Sequence, residues 1–220
     1  MNTTTRIILV RHGETEWNRL GRLQGHLDVG LSDEGHAQAT LLATRLLAEQ
    51  AQGGRFDACY SSDLSRARQT AQPLADALGL PLSVLPALRE RHYGVFQSQD
   101  KPQIQARYPE LYRVWQSRDP HFEPPEGESM QAFYTRVNAA LITLAQAHAG
   151  QRIVCVAHGG VLDCAYRYAR QMPLDTVREH ALLNASVNEL AYRSGGVEVM
   201  RWADVTHLTP GSVDDPGVPA

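Results

Sequence analysis

Two short apolar runs constrain the fold of this chain more than any other feature. Residues 6–10 read RIILV and residues 152–157 read RIVCVA. Each ends on a histidine followed by glycine: His12 and Gly13 after Arg11, and His158 and Gly159. Runs of this length are too short for a buried helix. Rich in β-branched residues, both are predicted to be central strands covered on two faces. A third strand is predicted over 55–62, RFDACYSS, and residues 80–90 read as extended, passing from apolar residues into charge.

Helix signals lie between these runs. After a predicted loop at 13–30, residues 31–50 begin with a serine cap and an acidic first turn. Leu41, Leu42, Leu46 and Leu47 are taken as the apolar face, and AQGG as the stop. The next helix follows SSDLSRARQTA, with Ser or Asp as its cap. Pro73 is expected to break or kink it and Gly79 to end it. QIQARYPELYRVWQSR reads as helical around Pro109, DPHFEPPEGES as loop, and Ser129 as the cap of a long helix. VLDCAYRYAR reads as a helix, and NELAYR and VEVMRWA as paired strands around SGG.

Strands alternating with helices predict an α/β protein: a three-layer αβα sandwich around a mainly parallel sheet. Residues 1–208 are read as a single domain, with 91–128 as an insert. Residues 209–220 lack an apolar pattern and are read as a disordered tail.

Composition narrows the function. Among 220 residues, 21 Lys and Arg stand against 24 Asp and Glu, a net charge of −3 with no block of like charge. Nucleic-acid binding surfaces show a basic excess, so no nucleic-acid partner is expected. No apolar run approaches 18 residues, and the N-terminus lacks a signal-peptide core, so no membrane association and a cytoplasmic location are expected. Of three cysteines, Cys59 and Cys155 read as small buried hydrophobes, with a reactive thiol as the alternative. Their spacing fits no zinc pattern, and no metal is expected.

Parallel sheets bind ligands beyond the carboxyl ends of their strands. Arg11 and His12 fall there, as do Arg66 after the second strand, Glu90 after the third and His158 after the fourth. Arginine forks match phosphate oxygens and keep their charge. A neutral imidazole is a phosphoryl nucleophile, and flanking arginines favour the neutral ring. Glu90 then serves as general acid and later as base. Taken singly, each residue has a plainer role. A lone histidine is often structural, Arg66 could lie on the surface as Arg68 is expected to, and Glu90 could pair with Arg89 or Arg91. Their shared placement on one sheet edge favours a phosphate site.

The segments LVRHGETEWN (9–18), GRLQGHLDVGLSDEGHAQA (21–39), YSSDLSRARQTA (60–71), LRERHYG (88–94) and VAHGG (156–160) occur in this order. Together they resemble the histidine phosphatase superfamily in its phosphoglycerate mutase-like branch. The resemblance implies a phosphoglycerate mutase-like fold with 91–128 as a substrate-side cap, a phosphorylated His12, and catalytic roles for Arg11, Arg66, Glu90 and His158. It implies substrate-side roles for Asn18, Gln24, Gly25 and Gly159, and adds Arg91, Tyr93 and Lys101 from the mutase pattern. No metal and no organic cofactor are implied. The paired arginines of the mutases are reduced to Arg118, and the short connection to PEGES resembles the small phosphatases. GVFQS (94–98) departs from the phosphatases' G-x-W-E-G. The expected activity is an acid-type histidine phosphatase, hydrolysing small phosphomonoesters. The alternatives are a 2,3-bisphosphoglycerate-dependent mutase and a catalytically idle phosphate-binding or interaction module. A homodimer is compatible with the sequence.

Overall fold

The computed structural model describes residues 3–208. The segment 209–220, read as a tail, lies outside the described residues. Strand β1 (Thr5–Arg11) is followed by a short helix, α1 (Glu16–Arg19), within the stretch expected to be loop. A capping box makes α1 possible: the Asn18 N–H donates to Thr15 Oγ1 at 3.2 Å, and the Thr15 N–H donates to Asn18 Oδ1 at 3.0 Å.

Helix α2 (Asp33–Ala51) starts at its predicted cap, Ser32. Its buried face differs from the expected one. Leu42 and Leu46 are buried with Gln38, Ala39 and Ala43, whereas Leu41 and Leu47 are exposed. One residue along a helix turns the side chain by about 100°, so the outer leucines of the two pairs leave the core stripe.

Strand β2 (Ala58–Ser61) leads to α3 (Ser65–Leu78). The N-cap is Leu64, with no side-chain cap of its own, rather than Ser62 or Asp63. Asp63 pairs with Arg89, and Ser62 faces His158. The first turn of α3 is instead satisfied by Asp28, whose carboxylate accepts the Ser65 N–H at 2.7 Å and the Ser65 hydroxyl at 2.8 Å. Pro73 does not break the helix; Leu74, Ala75 and Leu78 beyond it are buried, and that packing outweighs the lost backbone bond. Gly79 ends α3 in the left-handed conformation, as expected.

Only Leu82–Val84 of the extended stretch forms a strand, β3, and a 3-10 turn (Pro86–Leu88) carries the chain to Glu90. Around Pro109 the structure has two helices, α4 (Lys101–Arg107) and α5 (Pro109–Gln116). Proline disfavours the helical region for the residue before it, and Tyr108 sits at φ −134°, ψ 58°. Helix α6 (Met130–Ala147) starts at Ser129, β4 (Arg152–Ala157) runs into α7 (Gly159–Arg170), and the hairpin β5 (Val187–Arg193) and β6 (Gly196–Asp204) completes the chain.

The six strands lie in the order β3-β2-β4-β1-β5-β6. The first four are parallel, β5 is antiparallel to β1, and β6 is antiparallel to β5. Side-chain alternation on the central strands builds two cores. Ile7, Leu9, Ile153 and Cys155 pack with α6 and α7 on one face, and Ile8, Val10, Val154 and Val156 pack with α2 and α3 on the other. A third, smaller cluster of Leu23, Phe96, Ile104 and Trp115 supports the segment expected to act as a cap. All three cysteines are buried, and burial pushes the Cys59 thiol up to about 12. Among the described residues no helix is long and apolar enough to cross a membrane.

The two faces of α2 separate in a denaturation experiment. Leu46→Ala should lower the unfolding free energy by about 2–5 kcal/mol, as buried leucine truncations do. Leu47→Ala should change it by about 0.5 kcal/mol or less. Urea titration of both variants measures the difference; equal losses contradict the assigned face.

Candidate active site

The site begins with strand register. Arg11 lies opposite Ala157 in the parallel β1–β4 pair, and the His12 N–H continues the ladder to the Ala157 carbonyl at 2.9 Å. The next residues on the two strands, His12 and His158, therefore stand level. Their ring centroids are 5.2 Å apart at an interplanar angle of 61°.

Each ring is held differently. His12 Nδ1 lies 2.7 Å from the Gly13 carbonyl oxygen. A carbonyl only accepts, so Nδ1 carries the proton and Nε2 keeps its lone pair. His158 Nε2 lies 2.9 Å from Ser62 Oγ. Burial, followed by the charge of Arg66, pushes both imidazoles well below the usual histidine range; Arg11 acts in the same direction on each.

Arg66, in the first turn of α3, is almost fully buried. Its Nη2 donates to the Gly25 carbonyl at 2.7 Å and its Nη1 to that of Leu27 at 3.0 Å. Burial brings its pKa down to about 10, against the opposing pull of Glu90 and Asp28, so it is charged at neutral pH. Arg11 Nη1 donates to the Leu182 carbonyl. Arg68 is exposed, as expected.

Glu90 does not pair with Arg89, which holds Asp63, nor with the guanidinium of Arg91. Its Oε1 accepts the Arg91 backbone N–H at 2.8 Å and its Oε2 accepts the Gly160 N–H at 3.0 Å, at the start of α7. A Cβ on Gly160 would overlap Glu90 Oε1 and lie 2.8 Å from the Phe133 ring, so a side chain there would push the Glu90 carboxylate aside. Behind Glu90, Arg136 fixes the backbone by donating to the carbonyls of Ala87 at 2.9 Å and Arg89 at 3.1 Å. Gly25 has φ +54°, and a Cβ there would overlap Gln97 Oε1.

One cavity of about 90 Å³ is bordered by Arg11, His12, Asn18, Gln24, Gly25, Arg66, Glu90, Tyr93 and Gly159. Asn18 Oδ1 is engaged by Thr15, which leaves the amide's donor end for the cavity. Gln24 Nε2 donates to Thr15 Oγ1 at 2.8 Å. His158 stands behind His12 and is fully buried. Two expected substrate-side residues do not border this cavity. Arg91 is buried and donates to the carbonyls of Glu128 and Phe122, because its backbone turns away directly after Glu90. Lys101 opens α4, outside the lining.

The cavity also brings in Arg22, Asp163, Gly160, Arg178 and Leu182, which the sequence reading missed. Arg178 and Leu182 belong to the stretch between α7 and β5, which has neither periodicity nor a motif to mark it. Among the described residues, no group of three or more His, Cys, Asp or Glu is arranged to hold a metal ion. The cavity brings an imidazole with a free lone pair, that of His12, together with the guanidinium groups of Arg11 and Arg66 and the carboxyl group of Glu90.

Comparisons with known proteins agree with this chemistry. The family model described as the histidine phosphatase superfamily (branch 1) matches residues 7–205. The chain is 40% identical to phosphoglycerate mutase-like protein 4 of Arabidopsis thaliana, over 92% of this chain and 86% of that protein. It is 39% identical to the metal-independent phosphoserine phosphatase of the same plant, over 93% and 84%. A phosphoserine phosphatase from Entamoeba histolytica, solved in complex with phosphoserine, superposes with a TM-score of 0.80 at 26% identity, covering 93% of this chain and all of that one.

The two central imidazoles make a pH prediction. Their folded pKa values lie below the unfolded value near 6.5, so below that pH the unfolded chain binds more protons. Stability is therefore full above about pH 6.5 and falls as the pH drops further. Each buried imidazole should cost on the order of 1 kcal/mol by about pH 5.5. His26 and His207, also lowered, act with the same sign. NMR should show the His12 and His158 rings neutral at that pH, and the urea midpoint should fall. Titration of either ring near 6.5 contradicts the assigned electrostatics.

Proposed function

The chain belongs to the histidine phosphatase superfamily, and on that premise we propose that it hydrolyses small phosphomonoesters through a phosphohistidine at His12. The observation that carries this reading is the His12 Nδ1 contact with the Gly13 carbonyl, which commits one ring nitrogen and leaves Nε2 to attack. Arg11 and Arg66 supply fixed positive charge for the phosphoryl oxygens, where charge spreads in the transition state.

In the first step, Nε2 forms a bond to phosphorus and the ester P–O bond breaks. The departing alkoxide takes a proton from Glu90. In the second step, Glu90 takes a proton from water as its oxygen bonds to phosphorus. The N–P bond breaks, and inorganic phosphate leaves with His12 again neutral. His158, behind the nucleophile and bonded to Ser62, orders the first ring and supports charge on the transferring group. Asn18 and the backbone of Gly159 complete the phosphoryl contacts, with Gln24, Gly25 and Tyr93 on the substrate side. The full set of groups argues against an idle binding module, which has no use for the acid.

Leaving-group dependence tests the assignment of Glu90. Glu90→Gln should slow hydrolysis of alkyl phosphates by about 10²- to 10⁴-fold, because their alkoxides need the proton. Nitrophenyl phosphate, with a good leaving group, should suffer less. Equal losses on both esters remove Glu90 as the acid, and a His12→Ala protein with the wild-type rate removes the nucleophile. The mutase alternative is tested with 3-phosphoglycerate and 2,3-bisphosphoglycerate. Free phosphate should exceed 2-phosphoglycerate; abundant isomer with little free phosphate overturns the hydrolytic reading.

A further inference from the structure

Residues 24–28, QGHLD, form one loop that touches several parts of the site. The carbonyls of Gly25 and Leu27 hold the Arg66 fork at 2.7 Å and 3.0 Å, and the Asp28 carboxylate accepts the Ser65 N–H at the start of α3. Between those two carbonyls stands His26, half-buried and outside the cavity lining. Its backbone N–H donates to Gln97 Oε1 at 2.7 Å, and its ring meets that of His92 edge-on with centroids 4.6 Å apart. Its Nε2 lies 2.8 Å from the Glu90 carbonyl oxygen. A carbonyl only accepts, so Nε2 carries the proton and donates it.

That carbonyl belongs to the peptide group joining Glu90 to Arg91. The N–H at the other end of the same peptide donates to Glu90 Oε1 at 2.8 Å. Both bonds therefore act on one planar unit. A donor at the oxygen end fixes the rotation of the plane and polarises it, which strengthens the N–H bond at the opposite end. Arg136 Nη2 reaches the same carbonyl at 3.3 Å, but it is shared with Glu128 Oε1 at 2.6 Å, so His26 makes the closer contact. The second carboxyl oxygen, Oε2, has its own donor in the Gly160 N–H at 3.0 Å. One of the two supports of the Glu90 carboxyl group thus runs through a peptide that His26 aims.

We infer that His26 is a positioning residue for the Glu90 carboxyl group, acting through the 90–91 peptide and tying the loop that holds Arg66 to the acid. Its kinetic consequence rests on the proposed phosphatase reading. Loss of the ring leaves His12 and the guanidinium groups in place and misaligns the proton donor. The effect falls on esters whose leaving group needs that proton.

Two esters and two variants test this. His26→Ala should slow hydrolysis of glycerol 3-phosphate by about tenfold, the effect of one lost hydrogen bond, and chiefly in kcat. Nitrophenyl phosphate, with its better leaving group, should slow by about threefold or less. His26→Gln places an amide N–H near the position of Nε2 and should restore most of the rate on glycerol 3-phosphate. Equal losses on both esters, which a merely structural loop residue produces, overturn the proposal, as do no loss on either or no rescue by glutamine. Hydrogen exchange at the Arg91 amide gives a readout without turnover. His26→Ala should speed it by about fivefold or more relative to the amides of β1 and β4, and His26→Gln should return it. Unchanged exchange overturns the inference whatever the chain catalyses. Faster exchange in a chain that hydrolyses neither ester supports the positioning role and overturns the phosphatase reading alone. Hydrolysis through phospho-His12 with unchanged exchange does the reverse.

Discussion

The arrangement depends on the register of one parallel strand pair. Arg11 opposite Ala157 sets His12 level with His158, and every other group is placed relative to those two rings. A slip of one residue would exchange the two faces of β1, sending Ile8 and Val10 into the wrong core and turning His12 away from the cavity. Both cores therefore enforce the register that sets the two rings level. The strand end is braced as well: the Gly13 N–H donates to Thr70 Oγ1 at 2.9 Å, which ties the backbone next to His12 to the helix that carries Arg66.

The site is electrostatically unlike the rest of the molecule. Elsewhere, Arg167 meets Asp163 and the half-buried Arg152 meets Glu49. Arg66 instead donates to backbone carbonyls, and Arg11 to that of Leu182. Carbonyl oxygens fix a guanidinium fork without cancelling its charge. Burying such charge costs several kcal/mol, which the proposed binding of a dianionic phosphoryl group would offset. Burial and the same field keep both imidazoles neutral, so the charge proposed to hold a phosphoryl group also leaves the His12 ring in the form the proposed attack requires. Glu90 is kept apart from the neighbouring arginine side chains by Asp63, which takes Arg89, and by backbone carbonyls that take Arg91.

The sheet, its order of chemistry-bearing strand ends and the five central residues were legible because short apolar runs and abrupt charge report strand ends directly. What escaped the sequence depended on contacts distant along the chain. Asp28 caps α3 from 37 residues away, and Arg136 holds the Glu90 backbone from 46 residues away. Arg178 reaches the site from a segment with no periodicity at all. Arg91 showed the converse failure: adjacent to Glu90 in sequence, its side chain instead holds the carbonyls of Phe122 and Glu128. Leu41 and Leu47 misled because a run of leucines conceals which pair faces inward.

We infer that His12 reacts through Nε2 because Nδ1 is committed to the Gly13 carbonyl. Rapid chemical quench during turnover of labelled nitrophenyl phosphate, with base digestion and separation of the two phosphohistidine isomers, tests it directly. Acid-labile phosphate on Nε2 of His12 is the predicted result. Phosphate on Nδ1, or turnover with no covalent phosphate at all, contradicts attack by Nε2.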